Sequence, residues 1–265
     1  MVLDDPTLRR RTVGAVEHAI KVLRCISGAR GSLGVNEVAR RIGIHKSSVS
    51  RLVSTLESHD LVQRDPETER LSLGIGLVVL AAPVLTRLGV DDLARQHLAQ
   101  LAQDSGETVS FSIWDGSHAV SIEQALGAGA VRTFAEPGRR NPGHSTAAGK
   151  MLLAHAGRNA IADYCAGPLK RFSQHTITDA KALEAELDLT RCRGYAINLG
   201  ELEEDVGAVS AAVHDGTGRV VGSVTATVPL YRFDPDRQNY LIALVLRTAN
   251  DLSAKLGHQS HPAHT

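Results

Sequence analysis

Residues 35–52 constrain this chain more than any other stretch. Two short helices that meet at a steep angle around a tight turn need a small residue where they touch, and Ala39 supplies it. The turn needs a residue that accepts a left-handed backbone, and Gly43 does so at no steric cost. The second helix must present apolar side chains back to the first; Val49 and Leu52 fall at the right offsets, and Val38, Ile42 and Ile44 complete the interior face. The spacing predicts helices over residues 35–42 and 46–58. Lys46-Ser47-Ser48 opens the second with short polar side chains, as a helix requires if its first turn is to approach another molecule closely.

The flanking sequence extends this unit. Residues 13–27 carry a helical apolar stripe at Val16, Ile20, Leu23 and Ile26, broken by glycines at 28 and 31. Extended runs at 61–64 and 70–73 flank Asp65-Pro66-Glu67-Thr68-Glu69, a hairpin signal. Three helices and a hairpin make a winged helix-turn-helix. The whole chain of 265 residues has zero net charge, yet residues 9–64 hold eleven Lys and Arg against Glu17, Glu37, Glu57 and Asp60. A basic first quarter on an acidic remainder points to phosphate contacts by one part alone, and double-stranded DNA is the partner expected. An ordinary helical hairpin with a chance glycine turn would show neither the charge nor the wing. By position, Ser47, Ser48, Ser50 and Arg51 face a groove, while Arg40, Arg41, Lys46 and Arg64 suit phosphates. Arg40 and Arg41 are equally readable as a solvated helix face. Arg9-Arg10-Arg11 is either a minor-groove arm or a basic end.

Beyond residue 71 the chain is apolar up to residue 88, but Ser72, Pro83 and Arg87 interrupt the run, which is too short to span a bilayer. No apolar segment follows the N-terminal charges, and Cys25, Cys165 and Cys192 are widely spaced without a CxxC, so a cytoplasmic protein away from membranes is expected. Residues 74–88 are too apolar for a free linker and are expected to pack on a partner chain. After them come a helix over 93–105 behind Asp91-Asp92, strands at 108–114 and 119–124, and a further strand at 131–135. A loop over 136–143 leads to a helix over 145–155. Asp179 opens another helix, strands at 206–214 and 219–228 flank Asp215-Gly216-Thr217-Gly218, and Asp234 opens a last helix to residue 255. This is an α+β domain. The expected division is a basic arm at 1–12, a winged helix-turn-helix domain at 13–75, a linker helix at 76–90, an α+β domain at 91–256 and a disordered tail at 257–265.

Four stretches in this order resemble the IclR family of bacterial transcriptional regulators: VNEVARRIGIHKSSVSRLVSTLESHDLVQRD, GETVSFSIWDG, PGRRNPGHSTAAGKMLL and RCRGYAINLGELEEDVGAVSAAVHDGTGRVVGSVTATVP. The resemblance covers residues 13–253. It implies a winged helix-turn-helix joined to an effector-binding domain of GAF- or PAS-like mixed α/β form, an effector that is a small organic acid or aromatic metabolite, a palindromic operator, and dimers that pair into tetramers. Repression is the more expected mode. The resemblance places effector contacts at Asn141, Ala147, Ala148, Asn198 and the loop to Glu201, Ser210, Thr225 and Thr227. Amides at a helix N-terminus, approachable past Ala147 and Ala148, suit a carboxylate, and Thr225 and Thr227 share a strand face. Taken alone, those two threonines read as ordinary β-branched strand residues. Trp114, the sole tryptophan, either stacks on a ring at this site or fills core. Gly143 and Asn141 depart from the family, which usually has apolar residues there and a bulky one between Pro142 and His144; a larger or more polar pocket is expected.

Catalytic signals are weak. His118, His144, His155, His175 and His214 show no metal-ligand spacing. Ser145, His144 and Asp179 can be drawn as a triad only on paper. Glu201, Glu203, Glu204 and Asp205 form either a cation loop or a solvated acidic one, and no phosphate-loop pattern precedes Lys150. No cofactor, metal or enzymatic activity is expected. The rival readings are an enzyme built on the α+β domain, with the N-terminal helices serving oligomerisation, and a DNA-binding protein without a ligand.

Overall fold

Helices α1 (Gly14–Ser27), α2 (Val35–Ile42) and α3 (Lys46–Ser58) and the hairpin β1 (Val62–Arg64)–β2 (Leu71–Leu73) build the first unit. The computed structural model describes residues 13–29, 31–77, 79–81, 92–129 and 137–258, and contacts divide the chain into units Val2–Arg87 and Leu88–Thr265. The expected basic arm, the linker helix beyond residue 81, the Asp91 side chain, the strand at 131–135 and the tail beyond 258 lie outside the described residues.

The turn between α2 and α3 is the one the sequence demands. Gly43 has φ +70°, and its amide together with that of Ile44 returns to the Ala39 carbonyl, which closes α2. Val38, Ala39, Val49, Val53 and Leu56 are buried with Val22 and Ile26 of α1. Val62 and Leu71 of the wing join the same cluster, and Leu71 also pairs with Leu33 ahead of α2. The wing turn is held by Asp65, whose Oδ1 accepts from the amides of Glu67 and Thr68 and from the Thr68 hydroxyl.

The second unit is a six-stranded antiparallel sheet, β3 (Thr108–Trp114), β4 (His118–Ala125), β5 (Arg140–Pro142), β6 (Tyr195–Leu199), β7 (Val206–His214) and β8 (Val220–Pro229), in spatial order β5-β4-β3-β8-β7-β6. Sequence reading found four of these strands and missed β5 and β6. The helices are α4 (Asp92–Ser105), α5 (Ala147–Ala154), α6 (Arg158–Ala166), α7 (Ala180–Arg193) and α8 (Pro235–Lys255), with a 3-10 turn at Leu230–Arg232. Period-two alternation gives the sheet two unlike faces. Val109, Phe111, Val209, Ala211, Val213, Val224, Ala226 and Val228 pack under α4 and α8 in the main core. The intervening residues, Ser110, Ser112, Ser210, Ser223, Thr225 and Thr227, are polar and also buried. α5 packs on this second face, all eight of its residues buried. Its approach is close: a Cβ at Gly149 would stand 2.2 Å from the Pro142 carbonyl oxygen. Among the described residues no helix is long and apolar enough to cross a membrane.

Gly43 has no atom within 4 Å of an added Cβ, so its requirement is conformational. Gly43→Ala is expected to lower unfolding stability by about 1 kcal/mol, read from a urea midpoint. Gly14→Ala, helical and equally uncrowded, is expected to leave the midpoint unchanged or raise it.

Candidate effector cleft and nucleic-acid interface

Seven of the eight predicted DNA-facing residues are exposed on the first unit: Arg40, Arg41, Lys46, Ser47, Ser48, Ser50 and Arg51. The start of α3 carries a cap that the sequence reading missed. His45 Nδ1 lies 2.8 Å from the Ser47 hydroxyl and accepts from the Ser47 amide at 3.4 Å; a polar side chain just before the first helical turn was its signal. Arg41 is ion-paired with Glu37 at 2.6 Å. Arg64 is half-buried and lies 2.9 Å from Glu57 and 3.0 Å from Glu69. It therefore fastens the wing to α3, a structural tie that phosphate contact would have to break.

In the second unit β3 and β8 meet at the middle of the sheet with Thr108 opposite Thr227, Ser110 opposite Thr225 and Ser112 opposite Ser223. The N-terminus of α5 lies over this seam. Between them is a cleft of about 480 Å³, lined by Ser110, Ser112, Asn141, Thr146, Ala147, Ala148, Asn198, Leu202, Glu203, Val206, Ala208, Thr225 and Thr227. Six predicted effector residues thus converge: Asn141, Ala147, Ala148, Asn198, Thr225 and Thr227. Ser110, Ser112, Thr146, Glu203 and the apolar Leu202, Val206 and Ala208 were missed. The serines were legible only as strand residues until β8 was placed beside β3.

Thr146 caps α5, its hydroxyl accepting from the Gly149 amide at 3.0 Å. The first amides of a helix have no intrahelical partner, so those of Ala147 and Ala148 are left for whatever fills the cleft. Ser210 stands behind the wall instead: Thr225 Oγ1 donates to Ser210 Oγ at 2.9 Å, and Ser210 Oγ donates to the Val224 carbonyl at 3.2 Å. Its role is to turn the Thr225 hydroxyl, leaving lone pairs facing the cleft. Glu201 is also displaced from the lining. Its Oε1 accepts from the buried Lys150 ammonium at 2.6 Å, and Lys150 lies 3.3 Å from Glu186, which Arg193 meets at 2.9 Å. Burial pushes the Glu201 carboxyl above its ordinary range, with Lys150 pulling it back. At the mouth, Arg139 donates to Asn141 Oδ1 and to Glu203 Oε1, each at 3.3 Å. Glu203 is the only ionisable lining residue, and Arg139 offsets it.

The space expected at Gly143 is occupied. A Cβ there would meet Trp114 Cη2 at 2.9 Å and Tyr164 at 3.0 Å; the two rings fill the volume of the missing side chain. Trp114 accordingly sits away from the cleft. The paper triad does not form. His144 Nδ1 lies 2.8 Å from the Tyr164 hydroxyl, its Nε2 lies 2.9 Å from the Lys170 carbonyl, and Asp179 caps α7 through the Ala182 amide. Among the described residues no group of three or more His, Cys, Asp or Glu is placed to hold a metal ion.

Residues 82–254 match the family described as Bacterial transcriptional regulator IclR C-terminal, and residues 15–66 match the IclR helix-turn-helix domain. The chain belongs to the IclR family. It is a DNA-binding transcriptional regulator and not an enzyme. The transcriptional repressor AllR of Klebsiella pneumoniae is 31% identical over 244 residues, spanning 92% of this chain and 90% of its own. An IclR-type regulator from Alicyclobacillus acidocaldarius superposes with a TM-score of 0.80 at 26% identity, covering 93% of this chain and 100% of that one. An IclR homologue from Microbacterium hydrocarbonoxydans, crystallised with 4-hydroxybenzoate, shares the fold with a TM-score of 0.81 at 22% identity, covering 91% and 98%.

His118, His144 and His214 are all pushed below the ordinary imidazole value of 6.5, burial being the largest cause in each. The unfolded chain therefore binds more protons on acidification. The stability these groups contribute is present above the unfolded value and lost as pH falls through the lowered ones. The urea midpoint is expected to drop between about pH 7.5 and about pH 5.5, and His144→Gln to shrink that drop. An unchanged or rising midpoint contradicts the burial effect.

Proposed function

We propose that this IclR-family regulator senses a small organic acid, aromatic ones included, in the cleft under α5, and represses transcription from a palindromic operator. The observation that carries this reading is the pairing of free α5 amides with a hydroxyl seam in a cleft lined by no Lys or Arg. Helix N-terminal amides favour an anion, and the remaining hydroxyls and amides of Ser110, Asn141, Asn198, Thr225 and Thr227 fix its polar substituents. A cleft of about 480 Å³ suits a small metabolite, and the aromatic acid bound by the Microbacterium homologue is of this class. A sheet flanked by helices on both faces fits the GAF- or PAS-like reading of the sensing domain.

DNA contacts are assigned to Arg40, Lys46, Ser47, Ser48, Ser50 and Arg51, with Arg41 and Arg64 reaching phosphates only by exchanging their carboxylate partners. Self-association is supported by apolar side chains left exposed on the first unit, Val13, Val16 and Ile20 on α1 and Val79 and Leu80 at the start of the linker. Two-fold pairing places two α3 helices on half-sites of one operator. Effector binding acts by differing in affinity for two arrangements of that assembly.

Gel-shift titration against DNA upstream of the protein's own gene tests the DNA half. Arg51→Ala and Ser50→Ala are expected to relax sequence choice, and Lys46→Ala to weaken all sequences and lower the salt slope by about 1. Absence of salt-sensitive, sequence-selective binding sinks the reading. For the sensing half, organic acids including 4-hydroxybenzoate are screened by thermal shift, since a binder must raise the melting temperature. Ala148→Leu is expected to abolish the shift of any acid that binds. Arg139→Gln is expected to weaken that acid, because it unmasks the Glu203 charge, and Glu203→Gln to strengthen it. The opposite order would place the anion elsewhere.

A further inference from the structure

The cleft occupies the N-terminal end of α5. At the other end of the same eight-residue helix is a separate recess of about 620 Å³, solvent at its mouth included, formed by Ile113, Trp114, Leu152, His155, Ala156 and Val221 with Val220. None of these residues lines the cleft.

Trp114 is held here by its six-membered ring, whose tip fits beside Gly143 and whose plane is tilted 53° to Tyr164 at 6.1 Å. The indole Nε1 is buried and has no hydrogen-bond partner among the described residues. A buried donor left unmet is costly, and native structures rarely keep one without a use. Phenylalanine or leucine would fill the same space without that cost. The other polar side chain of the recess is His155. Its Nδ1 donates to the Met151 carbonyl at 3.0 Å, so Nε2 remains an acceptor. The remaining walls are aliphatic.

The ends of α5 also differ in charge. The cleft meets helix amides, whereas the recess lies at the carbonyl end, where the helix dipole disfavours an anion. No Lys or Arg lines it to compensate. Its occupant must therefore be uncharged, flat enough to lie against the indole, and equipped with an acceptor for Nε1.

We propose that the recess at Trp114 is a second small-molecule site, which takes a neutral aromatic amide, ketone or heterocycle whose acceptor meets Trp114 Nε1. The site is independent of the reading of the cleft. Its ligand class is set by the opposite end of the same helix dipole.

Benzamide and benzoate test this directly, since they share shape and differ in charge. The chain has one tryptophan and so one indole N–H resonance in a ¹H–¹⁵N correlation spectrum of the full-length protein. Benzamide is expected to move that resonance downfield to saturation, and benzoate at equal concentration to leave it in place. Ala156→Leu narrows the recess from the helix side and is expected to weaken benzamide roughly tenfold or more. Val221→Phe does so from the strand side and keeps the test open if the first variant fails to fold. Ala148→Leu, in the cleft, is expected to leave the benzamide titration unchanged. The proposal is overturned if benzamide leaves the resonance unmoved, if benzoate moves it equally, or if Ala148→Leu abolishes the benzamide effect while Ala156→Leu does not. Loss of acid binding in the cleft would refute the reading of that site alone.

Discussion

Lys150 is an ammonium held at 2% exposure in the middle of the helix that covers the polar face of the sheet. An unpaired charge there would cost several kcal/mol. Its partners come from separate parts of the chain, Glu201 from the β6–β7 loop and Glu186 from α7, with Arg193 sharing Glu186. That loop is held again by Ser173 and Thr176, whose hydroxyls donate to the Glu201 carbonyl at 3.2 and 2.6 Å. The next residues, Leu202 and Glu203, are walls of the cleft. One buried charge thus sets the position of α5 relative to the loop that faces it. The cleft is the space between them.

The same alternation that makes the sheet stable makes the cleft polar. Apolar residues at every second position bury the α4/α8 face, and the positions between carry hydroxyls that an apolar helix cannot satisfy by packing. Some of these hydroxyls satisfy one another, as Thr225 does with Ser210. Others face the cleft. α5 meets them with Ala147 and Ala148, too small to fill the gap, and with amides that complement hydroxyl oxygens. Polarity on the sheet and small residues at the helix start act together to leave a ligand-sized space.

Much of the first unit was legible because its interactions are local. Ala39, Gly43, Val49 and Leu52 lie within fourteen residues, and the turn they specify needs nothing from elsewhere. Gly43 alone announces a left-handed backbone. Arg64 was misjudged in emphasis because its partners, Glu57 and Glu69, are placed by the folded wing. In the second unit the α5 amides, Thr225 and Thr227 were legible through resemblance, whereas Ser110 and Ser112 became cleft residues only once β8 lay against β3. Glu201 and Ser210 are adjacent in sequence to cleft residues, and only side-chain packing reveals that they act from behind the wall.

The sequence by itself determined the helix-turn-helix, the alternating strands and the small-residue start of α5, because each depends on periodicity and backbone freedom within one segment. Tertiary structure decided which hydroxyls share a seam, where Lys150 finds its counter-charges, and that Trp114 fills the space beside Gly143. Those outcomes depend on segments distant in the chain, such as Ser110 and Thr225 or Lys150 and Glu201, being brought within contact distance. No local pattern encodes that distance.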